Sequence, residues 1–169
     1  MLEEAGFADG FSTTIWTDDN AERVNIATVV RNQLQEIGID VTIEMMEWRT
    51  YLERIANGHH DMFILGWSAV TADADHGLFP LFHSTQFGSG GNRSFYKNER
   101  GDELLTLDRQ VSDLERQKEI YLEVQEIIVD DVPGVFLSFG ETLVGTRGEV
   151  NGFYSNPSGH QLFSNVYFE

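Results

Sequence analysis

The chain has 169 residues, 28 of them acidic against 11 basic for a formal net charge of −17, and it contains no cysteine. A chain of this length buries a substantial core without staples; a field this negative repels nucleic-acid phosphate and anionic lipid, and disulfide or thiol redox chemistry is excluded. No run approaches the ~20 apolar residues of a membrane span and no basic-then-apolar leader precedes Leu2, so the chain reads either as cytosolic or as a mature or truncated piece of something larger.

Residues 11–16 (FSTTIW) are β-branched and aromatic, which predicts a strand. Thr17, Asp18, Asp19 and Asn20 then offer several N-caps, and Glu22 suits the positive end of a helix dipole. Ala27, Val30, Leu34 and Ile37 recur at three- and four-residue intervals, one helical face over residues 21–37, with Gly38 as the expected C-cap. Residues 39–47 alternate Ile39, Val41, Ile43 and Met45 with Asp40, Thr42, Glu44 and Met46, the period of a strand with one wetter face. A helical stripe returns over 48–57 through Tyr51, Leu52, Ile55 and Ala56, and stops at Asn57-Gly58.

Residues 62–65 (MFIL) form a short apolar run, expected as a strand buried on both faces, and it ends at Gly66-Trp67. An acidic loop with Asp73, Asp75 and His76 follows. Strands separated by helices with short connections predict a parallel sheet, and open α/β sheets place ligands beyond the carboxyl ends of their strands. Trp67, Asp73 and Asp75 are therefore candidate ligand residues. The plainer alternatives are a rim tryptophan and carboxylates that shape turns or cap a helix.

Residues 83–98 are rich in Gly, Ser and Asn and are expected to form an irregular surface excursion. Arg93 with Phe95 and Tyr96 is a candidate pocket lining there; the alternative is that these aromatics anchor the loop on the core. Helical periodicity resumes over 102–131 in two sets, Leu104, Leu107, Val111 and Leu114, then Ile120 or Tyr121, Val124, Ile127 and Ile128. A polar break at 115–119 separates them, so two helices are expected to part near 112–115, and Pro133-Gly134 ends the second. Residues 135–139 are predicted as a further strand that 141–146 extends or pairs with. Beyond Gly148, turns at Arg147-Gly148, Asn151-Gly152 and Asn156-Pro157 separate brief β-rich pieces at 150–154 and 162–168, a tail that needs a larger surface to lie on.

Other chemistries fit these residues less well. Asp73 and Asp75 are two apart, so they face opposite ways in an extended chain, and no nucleophile or base accompanies them as an enzyme would need. Gly58-His59-His60-Asp61 with His76 and His83 offers metal-ligand types without a recognised spacing. Gly88-Ser89-Gly90-Gly91 lacks the lysine and helix start of a phosphate cradle. No enzyme, metal or cofactor is expected.

The ordered series resembles the carboxyl-terminal lobe of the family 5 extracellular solute-binding proteins, the peptide receptors of bacterial ABC importers, which also include glutathione, nickel and opine binders. The resemblance is carried by the strand and helix order, the strand ending at Gly66-Trp67, the run TADADHGLFPLFHS over 71–84, the 92–98 segment, the helices within 104–129 and the Val132-Pro133 step. It implies an α/β fold, a periplasmic binding protein-like (type II) lobe with a mostly parallel sheet flanked by helices and an irregular β-rich carboxyl-terminal tail. It further implies that residues 1–140 are the ligand-binding lobe of a two-lobe receptor, with Met1 as an added start, and that 141–169 are closing strands and tail that pack on the absent first lobe. The implied partners are a peptide ligand, the permease subunits of the importer and that missing amino-terminal lobe, with no nucleic acid and no membrane insertion. The implied location is extracellular or periplasmic, with lipoprotein anchoring through the missing amino terminus as an option.

Peptide-binding relatives place an Asp three residues after the tryptophan to hold the ligand ammonium. Here Val70 stands there, and Asp73, ahead of Asp75, is expected to take that role. Some dipeptide-binding relatives grip the ligand carboxylate with an Arg just after the first strand of the lobe. This chain has Trp16-Thr17-Asp18 there; Arg93 is one substitute, and a longer peptide that leaves the lobe or a grip from the missing lobe are the others. Trp67 becomes an aromatic wall of a closing cleft. The alternatives are a nickel-complex or other small-solute receptor of the same family and, from another class, a small α/β enzyme using Asp73 and Asp75.

Overall fold

The computed structural model describes residues 2–156 and 159–169, so the expected Asn156-Pro157 turn lies partly outside the described residues. The chain divides into two compact units, Met1–Gly66 with Ser84–Tyr96, and Trp67–His83 with Lys97–Glu169.

In the first unit β1 (Phe11–Asp18), β2 (Ile39–Met46) and β3 (Met62–Phe63) form a parallel sheet in the order β2-β1-β3, with α1 (Ala21–Glu36) and α2 (Trp48–Ala56) as the connections. Alternation along β1 distributes its side chains to two cores. Ile15 packs with Ala27 of α1 and with Ile39 and Val41, while Trp16 packs with Tyr51 and Ile55 of α2. Both faces of the sheet are thus covered, as a parallel sheet requires. Asn20 caps α1 by accepting from the N–H groups of Glu22 and Arg23. Glu47, expected as the end of the second strand, instead caps α2 by accepting from Arg49 and Thr50 N–H, which holds its carboxyl below the ordinary range.

The run at 62–65 is not the strand buried on both faces that its composition suggests. Only Met62 and Phe63 pair with β1, at the sheet edge, and the ladder continues through one bond, Ile64 N–H to Trp16 O at 3.1 Å. All four residues stay half-buried because, among the described residues, no further strand covers that edge. The central position belongs to β1, which runs two residues further than predicted, through Thr17 and Asp18. Both are buried, and Asp18 is paired with Arg23 at 2.9 Å.

Residues 84–96 are irregular, as expected, but they are not a free excursion. Asn92 is 0% exposed. Its side chain donates to Tyr96 O at 2.8 Å and accepts from Ser94 Oγ and Tyr96 N–H, both at 3.1 Å. Its backbone bonds Gln86 and Gly88. Gly10 and Gly38, the residues preceding β1 and β2, meet back to back at positive φ; a Cβ on Gly10 would lie 1.9 Å from Gly38 O.

The second unit holds α3 (Ala74–Phe82), α4 (Glu99–Asp108), α5 (Leu114–Asp131) and a two-residue antiparallel pair, β4 (Val150–Asn151) with β5 (Tyr167–Phe168). Phe79 of α3, Leu104 and Leu105 of α4 and Ile120, Val124 and Ile128 of α5 are its buried apolar residues. Asn98 caps α4 and so starts it earlier than the apolar stripe suggested; Asp113 caps α5, which draws the polar run 115–119 into the helix. Leu107 and Leu114 of the predicted stripe are exposed. The strand expected at 135–139 does not form. Val135, Phe136, Leu137 and Phe139 are exposed, and no described residue pairs with 135–146, so their β-propensity finds no ladder to join. No described helix is long and apolar enough to cross a membrane.

Candidate functional site

The six residues singled out from sequence divide between the units. Trp67, Asp73 and Asp75 belong to the second, Arg93, Phe95 and Tyr96 to the first.

In the second unit Asp73 is the N-cap of α3, its Oδ1 accepting from Asp75 N–H at 2.8 Å. This is the capping role that sequence offered as the plainer alternative, and it leaves Asp73 exposed with its other oxygen open. Asp75 is fully engaged: Arg109 Nε donates to Oδ1 at 2.7 Å and Nη2 to Oδ2 at 2.9 Å. The same guanidinium lies 3.4 Å from the Phe79 ring centroid. A bidentate, stacked arginine fixes the start of α3 in both position and orientation. Trp67 is 39% exposed, and its indole N–H donates to His76 O at 2.8 Å, so the first turn of α3 also fixes the tryptophan. The Trp67 and His76 rings are tilted against each other at 5.6 Å.

Sequence reasoning missed Asp108, the last residue of α4. It is 2% exposed; Tyr121 OH donates to its Oδ2, and Oδ1 has no hydrogen-bond partner among the described residues. Burial pushes its carboxyl above the ordinary range, and the charges of Asp75 and Asp73 push the same way, while the Tyr121 bond and Arg109 oppose them. The Tyr121 phenol is also raised, by burial first and then by Asp108. The available signal was that Asp108 lies three and four residues after Leu105 and Leu104, where the buried side of α4 continues. A cleft of about 500 Å³ opens beside these groups, lined among others by Asp73, Asp75, Asp108, Arg109, Gln117 and Tyr121.

In the first unit Arg93 is half-buried, with its Nε shielded and without a partner, Nη1 donating to Gly91 O at 3.5 Å, and no ion pair to any described residue. Burial lowers its pKa, with Tyr51 opposing. The Phe95 ring packs against Phe87 at 5.6 Å and over Gly58, where a Cβ would come within 2.9 Å of it. The Tyr96 backbone is held by Asn92. The Phe95 ring thus anchors this loop on the first unit.

The histidines face other duties. His60 packs edge-on against Phe63 and Trp16, Asp61 Oδ2 accepts from the Thr13 hydroxyl and from the Thr14 N–H and hydroxyl, and His83 is stacked on Phe79 and bonded to Thr106 at 3.1 Å. Among the described residues no three His, Cys, Asp or Glu side chains converge to hold a metal ion.

The family model described as bacterial extracellular solute-binding proteins, family 5 Middle, matches residues 1–89. The chain is 27% identical over 176 aligned positions to the dipeptide-binding protein of Escherichia coli K12, spanning 100% of this chain and 32% of that protein. It is 30% identical over 172 positions to the oligopeptide-binding protein AppA of Bacillus subtilis 168, spanning 93% and 31%. Among solved structures, the periplasmic binding protein DppA of Helicobacter pylori, in complex with peptide STSA, superposes with a TM-score of 0.85 at 36% identity, over 99% of this chain and 33% of that one. The chain therefore spans about a third of the length of the relatives it matches.

Proposed function

Because this chain belongs to the family 5 bacterial extracellular solute-binding proteins, we propose that it is the ligand-binding lobe of the substrate-binding component of an ABC importer, capturing peptides outside the cytoplasmic membrane. Its fold is the α/β fold of periplasmic binding proteins, a parallel sheet flanked by helices. The relatives named above are binding proteins, and in this reading the lobe likewise binds its ligand without chemistry of its own.

The observation that carries the reading is the match of 99% of this chain to one third of a receptor solved with a peptide bound. The site supports the following roles. Trp67, held by His76 O, supplies an aromatic wall. Asp73 turns its open oxygen to the ligand ammonium, and Asp75, saturated by Arg109, holds the loop that presents it. Arg93, a half-buried cation lacking a carboxylate among the described residues, takes the ligand carboxylate, and Phe95 and Tyr96 shape the loop around it. Residues 141–169 pack on the first lobe, and the closed receptor docks on the permease.

Native mass spectrometry of the complete receptor tests this. A small excess mass that denaturation releases as peptide is the expected result and gives the ligand's length. A retained metal or non-peptide mass would move the function to the nickel or other-solute branch, and turnover of substrate by the receptor alone would overturn the binding reading.

A further inference from the structure

β2 ends in two adjacent thioethers, Met45 and Met46, and the alternation of a strand sends them to opposite faces. Their surroundings differ accordingly. Met45 is 62% exposed, which opens its sulfur to small solutes. Met46 is half-buried and packs against the core cluster of Trp16, Tyr51 and Ile55. Arg54 Nη1 donates to its sulfur at 3.6 Å, and the same guanidinium lies 4.3 Å from the Trp16 ring centroid and 3.7 Å from a Glu44 oxygen. Glu44 and Trp16 thus fix the guanidinium where it covers the Met46 sulfur. Met62, the third described methionine, is half-buried in β3 and packs against the cluster around Ile15.

A peroxide reacts with a sulfur lone pair, so its reach depends on access to that pair. At Met46 burial limits access, and the Arg54 N–H occupies the lone pair and draws electron density from it. At Met45 the sulfur is open. The products differ as well. A sulfoxide is polar and chiral; at Met45 its oxygen enters water, whereas at Met46 it enters the cluster built on Trp16. Arg54 is already placed to donate to that oxygen, since it donates to the weaker thioether acceptor now.

We propose that the end of β2 is a graded oxidation site: Met45 takes the first oxygen from a peroxide, and Met46, covered by Arg54, takes the second only on longer exposure. In each step the sulfur gives an electron pair to one oxygen of hydrogen peroxide, the O–O bond breaks and an S–O bond forms. The proton on the transferred oxygen passes to the other oxygen, which leaves as water. The methionine is oxidised by two electrons and the peroxide reduced by two. Methionine sulfoxide reductases, one for each sulfoxide epimer, reverse the step with electrons from a thiol pair. The site needs no bound peptide and is independent of the receptor reading above.

The test treats the complete receptor with hydrogen peroxide and follows the tryptic peptide 32–49 by mass spectrometry, where fragment ions separate the two sulfurs. The expected result is sulfoxide at Met45 about tenfold or more faster than at Met46 in the folded protein, and rates within about twofold of each other in urea, where both sulfurs are open. Arg54→Gln should raise the Met46 rate about threefold or more and leave the Met45 rate unchanged. A Met45 rate no greater than that of Met46, a Met45 left unmodified in the complete receptor, or a difference that persists in urea would overturn the site. An unchanged Met46 rate in Arg54→Gln would overturn the covering role of Arg54. Circular dichroism checks that Arg54→Gln folds; if it does not, Glu44→Gln, which releases one anchor of the guanidinium, carries the same comparison.

Discussion

Asn92 shows how much of this chain hangs on single polar side chains. Its amide closes the turn to Tyr96 from both its donor and its acceptor end, inside a region where water cannot replace it. Asn92→Ala should cost about 2–3 kcal/mol in denaturant unfolding of the chain, with an unchanged m-value. Asp61 makes a different kind of contribution. Three donors, led by the Thr14 N–H, hold its carboxyl below the ordinary range. Its stabilisation is therefore complete above the unfolded-state value of about 3.9 and is lost as pH falls through the lower folded value. Tm measured from pH 7 down to pH 2 should fall further for wild type than for Asp61→Asn, with the two curves converging at the acid end. Trp67→Ala, in the complete receptor, should weaken peptide binding by about 1–3 kcal/mol while leaving the unfolding transition in place; unchanged affinity removes Trp67 from the site.

At the level of elements, Arg109 joins the end of α4 to the start of α3 by a bidentate pair and a stacked ring. Arg109→Lys should fail to restore what Arg109→Ala removes, about 1 kcal/mol of stability by a double-mutant cycle with Asp75→Asn, because an ammonium cannot span both oxygens and stack on Phe79. The helices were legible in the sequence because their signals are local: a cap such as Asn20 or Asp113 and apolar spacing fall within a few turns of each other. The strands were less so. Residues 17–18 read as caps because Thr and Asp favour turns, yet the sheet buries them and Arg23 balances Asp18. The 62–65 run read as central because apolar composition does not separate a central strand from an edge one, and 135–139 read as a strand because propensity presumes a partner. Asp108 stayed hidden for a related reason: its meaning comes from Tyr121, 13 residues on and in the next helix. The acidic loop was legible as a site candidate, while its division into a cap, a saturated ion pair and an open oxygen depended on Arg109.

For the whole molecule, Val135, Phe136, Leu137, Phe139 and Leu143 make a run of exposed apolar side chains, and we expect the remainder of the complete receptor to cover it. Hydrogen exchange should find the amides of 135–146 nearly unprotected in this chain alone and slowed by about a hundredfold or more in the complete receptor; equal rates in both would detach this tail from the lobe interface. The opposite behaviour is expected at the two turns that precede β1 and β2. Gly10 and Gly38 lie 28 positions apart yet share one space, since any side chain on Gly10 would collide with the Gly38 carbonyl. Substitutions at the two positions are therefore expected to be coupled. Gene shuffling among relatives should tolerate crossovers on either side of the 10–38 block far better than crossovers inside it, wherever the donor parent carries a larger residue at the first of these two positions.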